Sequence, residues 1–312
     1  MAFEYFAWQR VDFGVFEVGL GGRLDATNIV TPVVSIITRV DFDHENFLGH
    51  SLAEIAGEKA GILKQRVPLV LAEQRAEALD VIRARAAELG CPVIETSSAF
   101  RIDKEWMEGG RSRALVTEIE SGWQIELAPR LPGKFQIQNS LNAVAAARYL
   151  QKRGYRISDE AVAEGIAEAV WPGRLEKLQS EPDVYLDGAH NPSAARELAA
   201  FLEQNLAGRK LWLVFGALRD KAVDEIAGVL FPLAAEVIFT QPSTTRAISV
   251  AQLAEITSHH AAHFTIIAEP EVALEDALER AAPHDAVVVA GSLYLVGQLR
   301  HYWKNRAPVA AR

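Results

Sequence analysis

Three stretches of this sequence gather side chains that could do chemistry. Residues 16–28 read F-E-V-G-L-G-G-R-L-D-A-T-N. They place a carboxylate, Glu17, after an apolar run and before a Gly-rich turn, and ligands of open α/β sheets collect at such strand ends. The glycines make no dinucleotide fingerprint, because Leu24 stands where Gly or Ala is needed and no helix follows. A plain turn with a solvated Glu is the competing reading. Asp41-Phe42-Asp43-His44 lies beyond the next apolar run. The His44 imidazole could ligate a metal, or simply serve the core. Lys59 follows, and an ammonium near metal ligands makes sense only if it pairs with phosphate or is chemically modified. The third stretch, Asp187-Gly188-Ala189-His190-Asn191-Pro192, runs from a strand into a helix. Backbone N–H groups at that helix start could hold an anion. Asp187 could accept from a ribose hydroxyl, and His190 could donate to phosphate or handle a proton. A turn with a capping Asn is the alternative. Arg174, Lys221 and Arg246 are cationic partners in the same half, each read singly as a surface charge.

The elements that must position these residues follow from periodicity. Short β-branched runs at 11–18 and 33–38 predict strands. Residues 51–63 have apolar positions at helical spacing, with Ser51 as cap and Glu54 three residues on. A strand at 67–72, a helix at 75–89 stopped by Gly90 and a strand at 92–95 continue the alternation, which implies a parallel sheet with crossover helices. Residues 100–103, 114–119 and 123–127 alternate apolar and polar, joined by Gly109-Gly110 and Ser121-Gly122, and predict a small antiparallel meander. Helices are predicted at 138–153 and 159–170. Trp171-Pro172-Gly173 then breaks the chain, giving domains 1–170 and 171–312. The second half predicts strands at 175–179, 184–187, 211–215, 236–240, 264–267 and 286–290, with helices between most of them. That is a Rossmann-like doubly wound domain. The Ala-rich tail after Lys304 is expected to fray.

Composition narrows the function class. The chain has 312 residues, 49% hydrophobic and 23% charged, with net charge −9. Such a surface opposes non-specific binding of nucleic acid. A single cysteine, Cys91, leaves no intrachain disulfide and no Cys-based zinc site. The start has no basic segment followed by an apolar one. The longest uncharged apolar run, 286–299, is too short to span a bilayer. A cytoplasmic protein is expected. Two further patterns are set aside. His259-His260-x-x-His263 looks like a metal cluster but is read as an exposed patch without carboxylate support. Gly133-Lys134 lacks the Ser or Thr and the upstream glycine of a phosphate loop, and no G-x-x-x-x-G-K-[ST] occurs in the sequence.

Taken together, the motifs resemble those of the folylpolyglutamate synthase/dihydrofolate synthase family of the Mur ligase superfamily. The resemblance rests on the 17–28 stretch, Asp43-His44 with Leu48-Gly49, and Glu58-Lys59-Ala60-Gly61-Ile62. Pro172-Gly173-Arg174, the 187–192 stretch, Asp220-Lys221 and Gly291-Ser292-Leu293-Tyr294-Leu295 complete it. It runs in the family's order from near residue 3 to about residue 300. It implies a truncated Mur-ligase central domain followed by the doubly wound domain, and an ATP-dependent amide ligase. A folate or dihydropteroate carboxylate is phosphorylated, and the amine of L-glutamate attacks the acyl phosphate. By resemblance, one or two Mg²⁺ ions are held by Glu17 and His44, and Lys59 is carbamylated and joins them. Leu24, Asp25 and Ala26 line the pterin side. Asn139, Arg174 and Asp187 contact ATP, and His190 lies near the acyl phosphate. His190, Arg174 and Lys59 are thus the catalytic candidates. The partners implied are ATP, L-glutamate and dihydropteroate or tetrahydrofolate, with no nucleic acid, no membrane and a monomeric state.

The sequence also departs from the family. The Thr-Asn-Gly-Lys-Gly-Ser phosphate loop is not among these residues, and Met1 falls downstream of where it stands in the family. The first strand of the central sheet is expected to be missing with it, and the 312-residue chain is expected to show no ligase activity by itself. Two readings accommodate this: an N-terminally shortened ligase, or a non-catalytic remnant that binds nucleotide, folate or a partner. Phe135-Gln136 replaces the His-Gln that often precedes the adenine-side Asn.

Overall fold

The structure, a computed structural model, describes residues 1–108, 111–133 and 135–306. The chain forms two compact units, Met1–Asp41 with Glu45–Ala99, and Phe42–His44 with Phe100–Arg312.

The first unit begins with α1 (Ala2–Gln9), a helix the sequence reading did not anticipate. Its sheet is three-stranded and parallel, in the order β1 (Ser35–Ile37), β2 (Leu69–Leu71), β3 (Val93–Glu95), with Ile36 opposite Val70 and Val70 opposite Ile94. Two short helices, α2 (Glu45–Leu48) and α5 (Thr96–Ala99), flank the longer α3 (Leu52–Ala60) and α4 (Ala76–Glu88). The Ser51 hydroxyl accepts from the Glu54 N–H, and the Glu54 carboxylate accepts in return from the Ser51 N–H, the reciprocal cap expected from the sequence. α3 and α4 pack side by side, burying Ile55, Ala56, Ile82 and Ala86. All three residues of β2 are buried, as befits a central parallel strand.

Residues 11–18 are not the expected strand. Val11, Phe13 and Val15 are exposed, and among the described residues no strand pairs with this segment. A β conformation needs a neighbour's backbone to take its N–H and C=O groups. Here the segment is held by side chains instead: the Phe16 ring lies 4.7 Å from Phe3 and 5.4 Å from Phe6 of α1. Glu17 therefore sits in an irregular exposed stretch rather than at a strand end.

The second unit opens with an antiparallel meander of β4 (Phe100–Glu108), β5 (Arg111–Glu118) and β6 (Gln124–Leu127). β4 and β5 are longer than the alternation indicated, β6 is one residue shorter, and the Gly109-Gly110 turn lies outside the described residues. Helices α6 (Phe135–Lys152) and α7 (Asp159–Glu168) follow. Glu118 closes this part: it is 8% exposed and accepts from Arg148, Lys152 and Ser121.

A six-stranded sheet then forms from β7 (Glu176–Gln179), β8 (Asp183–Leu186), β9 (Leu211–Phe215), β10 (Glu236–Phe239), β11 (Phe264–Ile266) and β12 (Ala286–Ala290). Its order is β11-β10-β9-β12-β8-β7, parallel except for the β7 edge. Helices α8 (Pro192–Asn205), α9 (Val223–Leu230) and α10 (Val250–Thr257) cover one face, and α11 (Pro270–Arg280) and α12 (Leu293–Asn305) the other. The strand period of two divides the core. In β12, Ala286, Val288 and Ala290 meet the first helix layer, while Val287 and Val289 meet the second. Helix α12 runs through Lys304 to Asn305, and the rest of the expected frayed tail, 307–312, lies outside the described residues.

Candidate active site

In the first unit the Gly-rich turn is fastened to the C-terminal end of α3. Asp25 organises the turn: its Oδ2 accepts from the Gly19 and Leu20 N–H groups, and its Oδ1 from the Thr27 N–H and hydroxyl. Hydrogen bonds from Thr27 above all hold its carboxyl below the usual range. The Arg23 N–H donates to Glu58 O, and the Arg23 guanidinium meets the Glu58 carboxylate at 2.8 Å. Asn28 Nδ2 donates to the carbonyls of Arg23 and Gly61, and Lys64 Nζ donates to Asn28 O and Oδ1. Gly22 and Gly61 allow the approach. A Cβ at Gly22 would lie 2.9 Å from Glu58 O and 3.1 Å from Lys59 O, and one at Gly61 would lie 2.5 Å from Arg23 Cα. The backbone of the 17–28 motif thus runs against the backbone that carries Lys59. Lys59 is half-buried, Leu24 is 81% exposed, and Ala26 starts a short 3-10 turn.

In the second unit, four side chains from three distant segments meet. Lys221 Nζ donates to Asp43 Oδ1 at 3.0 Å, and Asn191 Nδ2 donates to Asp43 Oδ2 at 3.0 Å. His190 Nε2 lies 3.7 Å from Asp43 Oδ2. His190 Nδ1 is 2.7 Å from Gly188 O. A carbonyl only accepts, so Nδ1 carries the proton and Nε2 is turned toward Asp43. Burial works to raise the Asp43 pKa, but the nearby His190 ring, the hydrogen bonds from Lys221 and Asn191 and the Lys221 charge outweigh it and hold the carboxyl well below the usual range. His44 adopts a left-handed backbone at φ 53, and its N–H donates to Asp43 Oδ1. Its pKa is lowered, first by burial and then by Lys221 and His190 against the opposing pull of Asp43. The shift favours the neutral form of the imidazole, the form that can ligate a metal.

The strand ends supply the frame. Asn191 caps α8, its Oδ1 accepting from the Ala194 N–H, with Pro192 in the first turn. Asp187 Oδ2 accepts from the Leu175 N–H and its Oδ1 from the Ala189 N–H. Burial raises its pKa against those two backbone donors. The Gly188 N–H donates to Gly173 O at 2.7 Å, which draws the Pro172-Gly173-Arg174 turn onto the 187–192 turn. The Gly291 N–H donates to Ala189 O, and a Cβ there would collide with Gly216 O and the Phe215 ring. The ends of β8, β9 and β12 therefore converge at one edge of the sheet.

Several residues differ from their sequence reading. Lys221 is no surface charge: its side chain is 7% exposed and paired with Asp43. Arg246 is tied to Asp220 by two bonds of 3.0 Å. His259 and His260 do have carboxylate support, from Asp224, whereas His263 is not part of that group. Arg174 is exposed, and its charge acts to lower the Asp187 pKa. Asn139 is exposed on α6, its Nδ2 donating to Gln136 Oε1. Lys134 lies outside the described residues. Asp43 is the residue sequence reasoning undervalued. It was visible only as the neighbour of His44, because its partners stand 148 and 178 residues away.

Comparison with known proteins gives a consistent result. Residues 2–147 match the Mur ligase middle domain, and residues 173–293 match the glutamate ligase domain of Mur ligases. The chain is 36% identical over 305 residues to the dihydrofolate synthase/folylpolyglutamate synthase of Bacillus subtilis, covering 96% of this chain and 69% of that protein. Its structure resembles Mycobacterium tuberculosis folylpolyglutamate synthase complexed with ADP and AMPPCP, with TM-score 0.88, 29% identity, and 99% and 72% of the two chains covered. It also resembles the E. coli FolC complex with DHPP and ADP, with TM-score 0.80, 28% identity, and 92% and 65% covered.

Proposed function

Since the chain belongs to the folylpolyglutamate synthase/dihydrofolate synthase family of Mur ligases, we propose that it takes part in ATP-dependent ligation of L-glutamate to a folate or dihydropteroate carboxylate through an acyl phosphate. One observation carries the reading. Asp43, Asn191 and Lys221 come from three separate family motifs and close on one another with bonds of 3.0 Å. A Mur-ligase reading requires those motifs to act together, and desolvating a part-buried Lys–Asp pair beside a fixed imidazole is costly unless the pair has work to do.

The residues have the following work in this reading. Lys221 and His190 offer positive charge and a proton-bearing ring where negative charge develops on the transferring phosphoryl group and the tetrahedral intermediate. Asp43 and Asn191 hold them in place, so little reorganisation is needed at the moment of reaction. Asn139, Arg174 and Asp187 bind ATP. Asp187 fixes the turn around Leu175 and Ala189, and each of its oxygens retains capacity for a further donor. Leu24, Asp25 and Ala26 form the pterin side, with Asp25 setting the turn that presents Leu24.

Glu17, His44 and Lys59 are the proposed Mg²⁺ ligands. The donor set fits in two respects: Glu17 is an exposed carboxylate, and burial keeps the His44 imidazole neutral. An unmodified Lys59 ammonium does not fit, and carbamylation would replace it with a carboxylate-like group. Bound Mg²⁺ supplies charge neutralisation at the phosphate oxygens. Functionally the boundary between the ATP/folate domain and the glutamate-ligase domain falls at Trp171-Pro172-Gly173. Among the described residues no helix is long and apolar enough to cross a membrane, and the reading is of a monomeric enzyme acting in the cytoplasm.

The test is ligation itself. The natural-length gene product should incorporate labelled L-glutamate into dihydropteroate or tetrahydrofolate, with one ADP formed per amide bond. Incorporation that needs no ATP, or none with either acceptor, would overturn the assignment.

A further inference from the structure

We propose that Asp224, His259 and His260 form a second metal site, separate in sequence from every family motif, that takes a borderline divalent transition metal such as Zn²⁺ or Ni²⁺. Asp224 lies in the first turn of α9, and the two histidines lie in the 3-10 turn Ser258–His260 that follows α10. One ligand atom from each of the three lies within 4.8 Å of the others. Asp224 Oδ1 is 3.0 Å from His260 Nε2 and 3.5 Å from His259 Nε2. Donors about 2.0–2.1 Å from a tetrahedral zinc stand roughly 3.3–3.4 Å apart, so these spacings already approach a coordination edge.

The neighbouring helix is shaped for the rings. Gly228 stands one turn beyond Asp224, on the same face of α9. A Cβ there would lie 3.3 Å from His260 Cε1, tighter than an ordinary contact, so the glycine leaves room for the imidazole beside the carboxylate. The His259 and His260 ring centroids lie 3.9 Å apart with their planes tilted by 41°, so two adjacent residues both face one carboxylate. Two imidazoles and one carboxylate select zinc, nickel or copper over magnesium and calcium, which prefer all-oxygen ligands. Asp224 and His259 are both exposed, so water completes the coordination. The bound ion would join α9 to the end of α10, two helices that share one face of the six-stranded sheet.

The experiment is titration of metal-stripped protein with Zn²⁺ alone, read by calorimetry and by the melting temperature. Wild-type protein should bind one more Zn²⁺ than the His259→Ala/His260→Ala variant, and its melting temperature should rise more with Zn²⁺. Asp224→Asn should weaken that binding roughly tenfold or more. His263→Ala should bind as wild type, and millimolar Mg²⁺ should not displace the ion. In wild-type protein, Zn²⁺ should also protect His259 and His260, but not His263, from an imidazole-modifying reagent, a readout that needs no variant. Equal zinc stoichiometry in wild type and the double variant, or no protection of the two histidines, would overturn the proposal.

Discussion

Lys221 Nζ lies 3.0 Å from Asp43 Oδ1, and the lysine side chain is only 7% exposed. The Asp43 carboxylate faces the enclosed lysine, and although burial opposes it, Asp43 stays ionised because His190, Lys221 and Asn191 surround it. Lys221→Met removes the charge and keeps the volume. The variant should lose about 10²–10³-fold in ligase rate, the usual cost of one transition-state donor. Asp43→Asn should move the same readout in the same direction. A Lys221→Met enzyme with unchanged turnover would show that the pair is structural.

The contact between the Gly-rich turn and α3 predicts a stability effect of unusual sign. Gly61 has right-handed helical dihedrals, φ −60 and ψ −15, where alanine is normally preferred to glycine. At Gly61 the new Cβ would lie 2.4 Å from Arg23 Cβ and 2.5 Å from Arg23 Cα. Gly61→Ala should therefore destabilise the protein by roughly 1–3 kcal/mol, as overpacking does. Denaturant unfolding measures it, and a more stable variant would contradict the packing described.

Glu118 gives a pH dependence. Burial acts to raise its pKa, but Ser121, Lys152 and Arg148 together hold it below the ordinary value. A carboxyl with a depressed folded-state pKa contributes stability above its unfolded value, about 4.3, and loses that contribution as pH falls toward the folded value. Glu118→Gln should thus be less stable than wild type by about 1.5–3 kcal/mol at pH 7, the usual worth of a hydrogen bond to a charged group. The gap should narrow below about pH 4. Urea midpoints across pH 3–7 test this, and a gap independent of pH would show that charge is not what Glu118 contributes.

Substitution of Lys59 tests the proposed carbamylation. In the natural-length enzyme, Lys59→Ala should abolish ligation, and a short carboxylate such as acetate should restore part of it. Labelled bicarbonate should give a carbamate signal in wild-type protein that is lost in the variant. His263→Ala should leave ligation unchanged. Full activity of Lys59→Ala would remove Lys59 from the proposed metal site.

Much of this architecture was legible because local rules sufficed. The Ser51–Glu54 cap, the continuous apolar runs of β9 and β12 and the Asn191-Pro192 helix start are each written in a few adjacent residues. The failures are non-local. Residues 11–18 have strand composition, yet strand formation depends on a neighbour that composition does not reveal. Lys221 reads as a surface charge until Asp43, 178 residues away, is placed against it. Asp224 is likewise distant in sequence from His259 and His260, so their carboxylate support appears only in the fold.

The most direct measurement follows an oxygen atom. With the acceptor carboxylate labelled with heavy oxygen, an acyl-phosphate route must leave one labelled atom in the phosphate released as glutamate attacks. Mass analysis of phosphate from the natural-length enzyme should find that single label in every turnover. Glutamate ligation that proceeds with unlabelled phosphate would contradict the proposed chemistry.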